Sequence, residues 1–114
     1  MRISERSTDD VTVLDLLTPL TGDNSRQLFQ PQIEALLQEG KRNFVLNLRE
    51  MNWLNSSGVG SLVAIHRRVA EHNGRIVLAE PNARVKEIMK VLGMTTIWKS
   101  YPTVEEAVTS FHAH

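Results

Sequence analysis

The sequence predicts one α/β domain in which a mixed, mostly parallel β-sheet is combined with about four helices. Apolar, β-branched runs of strand length alternate along the chain with segments whose apolar residues recur at helical spacing. Such alternation is typical of parallel strands joined by crossover helices. The chain has 114 residues, of which 41% are hydrophobic, so residues 1–114 are expected to form a single domain around one core.

The first third of the chain contains two predicted strands and one predicted helix. Residues 3–6 fit a short edge strand, and residues 11–17 fit a stronger strand because they are mostly apolar and begin with three β-branched residues. Turn-forming residues follow at 18–24. The helix that comes next ends at Gly40. Its apolar residues at helical spacing are Leu28, Phe29, Ile33, Leu36 and Leu37. Pro31 lies inside this pattern and indicates either a kinked helix or a later helix start.

The middle of the chain contains a strand, a helix and a second strand. Residues 43–48 are almost continuously apolar, as is typical of a strand covered on both faces. A helix is predicted after Gly60 and ends at Asn73 and Gly74. The residues that this helix is expected to bury are Leu62, Ile65 or His66, and Val69. Residues 75–79 form the next predicted strand.

Two helices and a short strand complete the predicted order β-β-α-β-α-β-α-β-α. Asn82 caps the first of these helices and Gly93 ends it. Its apolar stripe is Val85, Ile88, Met89 and Leu92. Residues 96–100 fit a short strand. Thr103 and Glu106 have the spacing of a capping box at the start of the last helix. The apolar face of that helix is Ala107, Val108 and Phe111.

Charge and composition exclude several classes of function. The 13 basic residues equal the 13 acidic ones, so no overall basic field draws the protein to nucleic acid or to an acidic membrane surface. The chain has no cysteine, which excludes disulfides, thiolate metal ligands and cysteine nucleophiles. His112 and His114 have no third ligand near them in the sequence, so no metal site is expected. Neither an apolar leader nor a stretch of membrane-spanning length is present, so a cytoplasmic location without membrane insertion is expected.

The segment Leu54-Asn55-Ser56-Ser57-Gly58-Val59-Gly60 joins a predicted strand to a predicted helix. A polar turn in this position exposes its hydroxyl groups and leaves the first backbone N–H groups of the helix unpaired. A phosphate placed there would meet free donors and the positive end of the helix dipole. Ser56 is therefore the candidate phosphorylation site, and Ser57 is the second choice. The alternative is an ordinary helix cap, since Asn and Ser are frequent N-cap residues.

The remaining residues give little indication of catalysis. No base lies beside Ser56 in the sequence, and the segment from Gly58 to Gly60 lacks the lysine of a phosphate-binding loop. We therefore expect a protein that is not an enzyme, that has no catalytic residues and that needs no cofactor.

The chain resembles STAS domains, and among them it is most similar to stand-alone anti-sigma factor antagonists. The resemblance centres on residues 54–60, where the family has Asp-Ser-Ser/Thr-Gly-aliphatic-Gly, and it extends over nearly the whole chain. The segments that carry the rest of it are 44–48, 51–53, 73–78, 81–85, 92–94 and 103–107.

The resemblance implies a phosphorylation-controlled binding protein. In that family the unphosphorylated form binds an anti-sigma factor that is also a serine kinase, and this binding releases the sigma factor. Phosphorylation of the serine after the Asp position breaks the complex, and a serine phosphatase restores it. The serine in that position here is Ser56. Residues expected to shape the loop or to face the partner are Asp23, Asn24, Trp53, Asn55, Ser57, Gly58, Val59 and Gly60.

Two departures from the family pattern keep other functions open. Asn55 replaces the family's Asp, which preserves a capping group but removes a negative charge. The family's acidic position after the second strand is matched only by Asp23, in a different local sequence. Trp53 is either an interface anchor or a residue that closes the core. The alternatives are an accessory STAS subunit of a lipid-transport ATPase and an anion- or nucleotide-binding regulatory domain, and the oligomeric state is left open.

Overall fold

Five strands form one mixed sheet in the computed structural model, which describes residues 2–112. The strands are β1 (Ile3–Thr8), β2 (Val11–Leu16), β3 (Asn43–Asn47), β4 (Arg75–Ala79) and β5 (Ser100–Tyr101), and they lie side by side in chain order. Strand β1 pairs with β2 antiparallel, and every other neighbouring pair is parallel. The predicted mixed, mostly parallel sheet is confirmed. The carboxyl ends of β2, β3 and β4 therefore meet at one edge of the sheet.

Four helices connect and cover the strands, as the sequence predicts. They are α1 (residues 22–38), α2 (Ser56–Glu71), α3 (Ala83–Val91) and α4 (Val104–Ser110). Asn82 caps α3 by accepting the N–H of Val85 at 2.9 Å, and Gly93 adopts a positive φ of 71° just beyond its end. Thr103 accepts the N–H of Glu106 at 3.1 Å and caps α4. The roles of Asn82 and Gly93 are confirmed, and of the capping box expected at Thr103 and Glu106 the structure shows the Thr103 bond.

Helix α1 contains a wide turn immediately before its proline. Its first residues, Gly22–Asn24, are α-helical, Ser25–Phe29 form a π turn, and Gln30–Gln38 is again α-helical. Pro31 has no backbone N–H and its ring crowds the carbonyl four residues earlier, so a regular α-helix cannot run through this point. The helix thus continues past Pro31 with a local irregularity, and it begins earlier than the predicted pattern.

Two further elements, β5 and α2, do not start where the sequence predicts. The strand expected at residues 96–100 is β5 at Ser100–Tyr101, and a short 3₁₀ turn occupies Met94–Thr96. Trp98 is only 4% exposed because the chain between these elements turns it into the core. Helix α2 starts at Ser56 and not after Gly60, since the cap lies at Asn55 and both glycines are accommodated within the first turns.

The two faces of the sheet have different coverings. Helices α1, α2 and α3 pack against one face around a large core to which β2 and β3 contribute alternate leucines. The smaller cluster on the other face consists of Val11, Val13, Val45, Val77, Ala79 and Ala107, and α4 lies over it. Leu92, which is on the predicted stripe of α3, lies beyond the helix end and is 42% exposed.

A cluster of three polar side chains lies on the second face of the sheet, next to the area that α4 covers. The guanidinium of Arg6 donates to both carboxylate oxygens of Asp15 at 3.0 Å, and Asn47 Nδ2 donates to Asp15 Oδ1 at 2.7 Å. Burial raises the pKa of Asp15, but these hydrogen bonds outweigh it and hold that pKa below its usual range. The charged cluster thereby ties β1 to β2 and β3.

Helices α1 and α2 are held together by polar contacts as well as by the core. Arg68 on α2 forms an ion pair with Glu34 on α1, and its hydrogen bond holds the pKa of Glu34 below the usual range. The hydroxyl of Ser61 donates to that of Ser25, and both serines are buried. These contacts fix the relative position of the two helices whose first residues build the candidate site.

Candidate functional site

We call residues 53–60 the Ser56 loop. They follow the segment after β3 and include the first turn of α2. Asn55 is the N-cap residue, and its Oδ1 accepts the backbone N–H of Gly58 at 2.7 Å. Leu54 forms an isolated parallel bridge with Leu20. The capping role predicted for Asn55 is confirmed, and its neutral side-chain amide caps the helix without a negative charge.

Ser57 connects the first residues of two helices. Its Oγ donates to Asn55 Oδ1 at 2.9 Å and accepts the backbone N–H of Gly22 at 3.1 Å. Gly22 begins α1, so a single hydroxyl group joins the start of α1 to the start of α2. Both serines are exposed, but the Ser57 hydroxyl is engaged in holding the site together, whereas Ser56 takes no part in this network.

Asp23 and Asn24 lie beside the Ser56 loop because Gly22 is bonded to it. Asn24 forms a reciprocal capping box with Thr21, and its Nδ2 donates to the carbonyl of Pro19 at 2.9 Å. Asp23 is exposed and pairs with Arg26 one turn later. Of these two predicted residues, Asn24 uses its side chain in hydrogen bonds within the fold, whereas the carboxylate of Asp23 lies at the surface.

The two glycines of the Ser56 loop have different surroundings. A Cβ added to Gly58 would lie 2.3 Å from the carbonyl oxygen of Leu20, so the absent side chain admits the protein's own backbone. A Cβ added to Gly60 would meet nothing within 4 Å. Of the two roles expected for Gly58, shaping the loop or facing the partner, the buried position of this residue fits the first. Val59 is also buried, at 5% exposure, so it anchors the loop in the core.

Trp53 is 42% exposed, so it does not close the core. It lines a shallow cleft of about 510 Å³ with Asn52, Asn82, Ala83 and Arg84. Asn82 Nδ2 donates to the carbonyl of Met51 at 2.7 Å and ties the start of α3 to the segment before the Ser56 loop. Arg84 thereby lies beside Trp53, and the sequence pattern does not single it out.

The first turn of α2 presents an uncharged polar surface. Its first two residues are serines whose backbone N–H groups have no acceptor within the helix, and the positive end of the helix dipole lies there. No acidic residue occupies this first turn. The surface can therefore receive a negative group with less repulsion than a loop that carries an Asp at position 55.

No group of three or more residues suited to hold a metal ion occurs within residues 2–112. His112 contacts Asp10 at 2.6 Å, and His114 lies outside the described residues. In that same part of the chain, no helix has both the length and the apolar character that crossing a membrane requires.

Comparisons with known proteins agree with this architecture. The family model of the STAS domain matches residues 2–107. BtrV of Bordetella bronchiseptica, proposed to be an anti-sigma factor antagonist, is 22% identical over 111 residues, which are 97% of this chain and 95% of BtrV. A crystal structure from Thermotoga maritima, of a protein proposed to have the same role, has a TM-score of 0.88 at 22% identity and covers 97% of this chain and 95% of its own. The anti-sigma factor antagonist SpoIIAA of Bacillus, in its unphosphorylated form, has a TM-score of 0.80 at 20% identity, with 97% of this chain and 96% of SpoIIAA covered.

The likeness to these solved structures concerns the fold, and the family model adds a match in sequence. The match to the family model extends from β1 into α4 and includes the whole Ser56 loop. This protein belongs to the STAS domain family.

Proposed function

We propose that this protein is an anti-sigma factor antagonist whose binding is controlled by phosphorylation of Ser56. The unphosphorylated form binds an anti-sigma factor that is also a serine kinase, and the sigma factor is released. Phosphorylation ends this binding, and a serine phosphatase restores it. The observation that carries the proposal is the exposed hydroxyl of Ser56 at the first residue of α2, beside a serine whose own hydroxyl is already engaged.

The contacts of Ser57 favour Ser56 as the acceptor. A phosphoryl group on Ser57 would replace the hydroxyl hydrogen donated to Asn55 and would crowd the backbone of Gly22, whose nitrogen lies 3.1 Å from Ser57 Oγ. Phosphorylation there would separate the starts of α1 and α2. Phosphorylation of Ser56 leaves these contacts in place, so the two forms share one fold and differ mainly in surface charge.

The charge added by a phosphate is sufficient to oppose binding. Phosphorylation adds about −1.5 to −2 charges to the surface. The attraction between this phosphate and the positive end of the α2 dipole contributes only about 0.3–1 kcal/mol per charge. Placing that charge against a partner surface that fits the neutral form costs more, since like-charge contacts and desolvated charges in an interface cost several kcal/mol. Dissociation is therefore the expected result of phosphorylation.

Trp53 supplies an anchor for the partner next to the Ser56 loop. An aromatic side chain that is 42% exposed and lies beside a shallow cleft is a typical hot-spot residue of protein interfaces. Arg84, which lines the same cleft, adds a cation, and Asp23 adds a carboxylate near the start of α1. Together with Ser56, these exposed side chains form the proposed binding face of a protein that acts by association and not by catalysis.

Intact-mass spectrometry after incubation with ATP and the serine kinase encoded nearest to this protein tests the proposal. The expected result is a single added phosphate in the wild type and in Ser57→Ala, and none in Ser56→Ala. Ser56→Ala should still bind the kinase, while Ser56→Asp should bind at least about tenfold more weakly. Ser57→Ala is the matched control, because it removes a neighbouring hydroxyl of the same helix turn; since that hydroxyl also joins α1 to α2, the melting temperature of this variant must show that it is folded.

Asn55→Asp tests the departure from the family pattern. If the kinase needs the missing carboxylate, wild type takes up no phosphate but binds tightly, and Asn55→Asp becomes phosphorylated. Phosphate on Ser57 in place of Ser56 would show that the site is wrong. A protein that neither binds the kinase nor takes up phosphate would refute the proposal and favour the accessory role in a lipid-transport ATPase.

A further inference from the structure

A second cleft lies away from the Ser56 loop, between α3, the 3₁₀ turn and the edge strand β5. Its volume is about 500 Å³. Its apolar lining includes Leu78 from β4, Met89 from α3, Met94 from the 3₁₀ turn, and Trp98. None of its lining residues belongs to the Ser56 loop. Clefts of this size with mostly apolar walls and a few polar groups are typical of small-molecule sites.

The charged residues that line this cleft are all of one sign. They are Lys86 and Lys90 on α3 and Lys99 before β5, and none of the lining residues within 2–112 is acidic. The three lysines stand out in a chain whose formal net charge is zero. The positive charge of the three lysines attracts an anionic group, and the apolar walls accept an apolar body, so the cleft suits a ligand that has both.

Trp98 forms part of the wall of this cleft. Its side chain is 4% exposed, and its indole N–H has no acceptor within residues 2–112. His66, whose ring stands edge-on to Trp98 with centroids 5.7 Å apart, has a buried Nδ1 that also lacks a partner in the same part of the chain. Because the indole nitrogen itself is buried, a molecule in the cleft meets the apolar part of the Trp98 ring, which suits a ligand with an apolar body.

We propose that this cleft binds an aliphatic carboxylate of about ten carbons, with its chain against Met89 and Trp98 and its carboxylate among the three lysines. A chain of about ten carbons with its carboxylate is a small ligand of the kind that clefts of about 500 Å³ hold. The site is a second, small-molecule input to the protein and is separate from the proposed phosphorylation of Ser56.

Titration with decanoate below its micelle concentration tests this site, with the two indole N–H resonances of ¹H–¹⁵N spectra as the readout. Trp53→Phe assigns them. The expected result is a saturable shift of the Trp98 resonance with little change at Trp53. Decyltrimethylammonium, which has the same chain and the opposite charge, and acetate, which has the charge without the chain, should produce no saturable shift.

Lysine variants test the charge argument without disturbing the core, since Lys86, Lys90 and Lys99 are exposed. Replacing all three with Gln should weaken decanoate binding by about tenfold, given the modest strength of exposed charge pairs. Lys41→Gln, an exposed lysine after α1, is the matched control and should bind as wild type does. Absence of a saturable shift, equal binding of the cationic amphiphile, or unchanged affinity in the triple variant would overturn the proposal.

Discussion

Replacing Gly58 with alanine should destabilise the fold, and replacing Gly60 should not. An added Cβ at position 58 would lie 2.3 Å from the carbonyl oxygen of Leu20 and 2.9 Å from Leu54 Cδ1. Backbone cannot move aside as a flexible side chain does, so we expect a loss at or above the upper end of the about 1–3 kcal/mol that overpacking costs. At position 60 the added methyl group meets nothing within 4 Å, and Ala is favoured over Gly within a helix by about 0.5–1 kcal/mol.

The two variants form a matched pair, because the same substitution is made two residues apart in the same helix. Urea unfolding measures both free energies, and the melting temperature provides a second measure. A change of 1 kcal/mol shifts the melting temperature of a domain near this size by about 4–8 °C. Gly58→Ala should melt well below wild type and Gly60→Ala slightly above it. Equal stabilities, or a more harmful change at Gly60, would refute the close packing of Gly58 on Leu20.

Hydrogen bonds elsewhere in the fold lead to three further expectations. Asn55→Ala removes the N-cap of α2 and should lower stability by about 1 kcal/mol, while Asn55→Asp keeps it; chemical unfolding compares them. Ser61→Ala strands the buried hydroxyl of Ser25 and should cost about 1–3 kcal/mol, and a double-mutant cycle with Ser25→Ala should recover part of that loss. The folded-state pKa of Asp15 lies below its unfolded value, so its stabilising effect is present above about pH 4 and is lost as the pH falls through the folded pKa. Arg6→Gln should therefore flatten the acid side of the stability profile measured by urea unfolding at a series of pH values.

Local signals predicted most of the fold. Asn82, Gly93 and Thr103 each act within a few residues of their own positions, so their capping and terminating roles can be recognised in a single sequence. The strand expected at residues 96–100 failed for the opposite reason. The fold turns position 98 into the core, and a large apolar residue, Trp98, occupies it. Five residues of mixed pattern do not distinguish such a buried turn from a strand.

The candidate site was only partly accessible to sequence reasoning. Asn55 and Ser56 lie in a contiguous motif whose capping chemistry is local. The bond from Gly22 to Ser57 joins residues 35 positions apart, and Gly22 appeared only as one member of a turn-forming cluster. For Gly58 the sequence leaves both loop shaping and partner contact open, because a sequence does not specify which backbone comes close to a glycine. Here the close backbone is that of Leu20.

The exposed strand β1 bears on how the protein behaves at high concentration. It forms one edge of the sheet, and a free edge offers backbone donors and acceptors to the strand of a second molecule. Because the formal net charge is zero, long-range repulsion between molecules is weak. Glu5 and Arg6 lie in the middle of this strand, and a strand arriving along the edge must dehydrate their charges. Protection against fibre-like aggregation therefore rests largely on two adjacent side chains, and replacing both with valine would make β1 a template for edge-to-edge assembly.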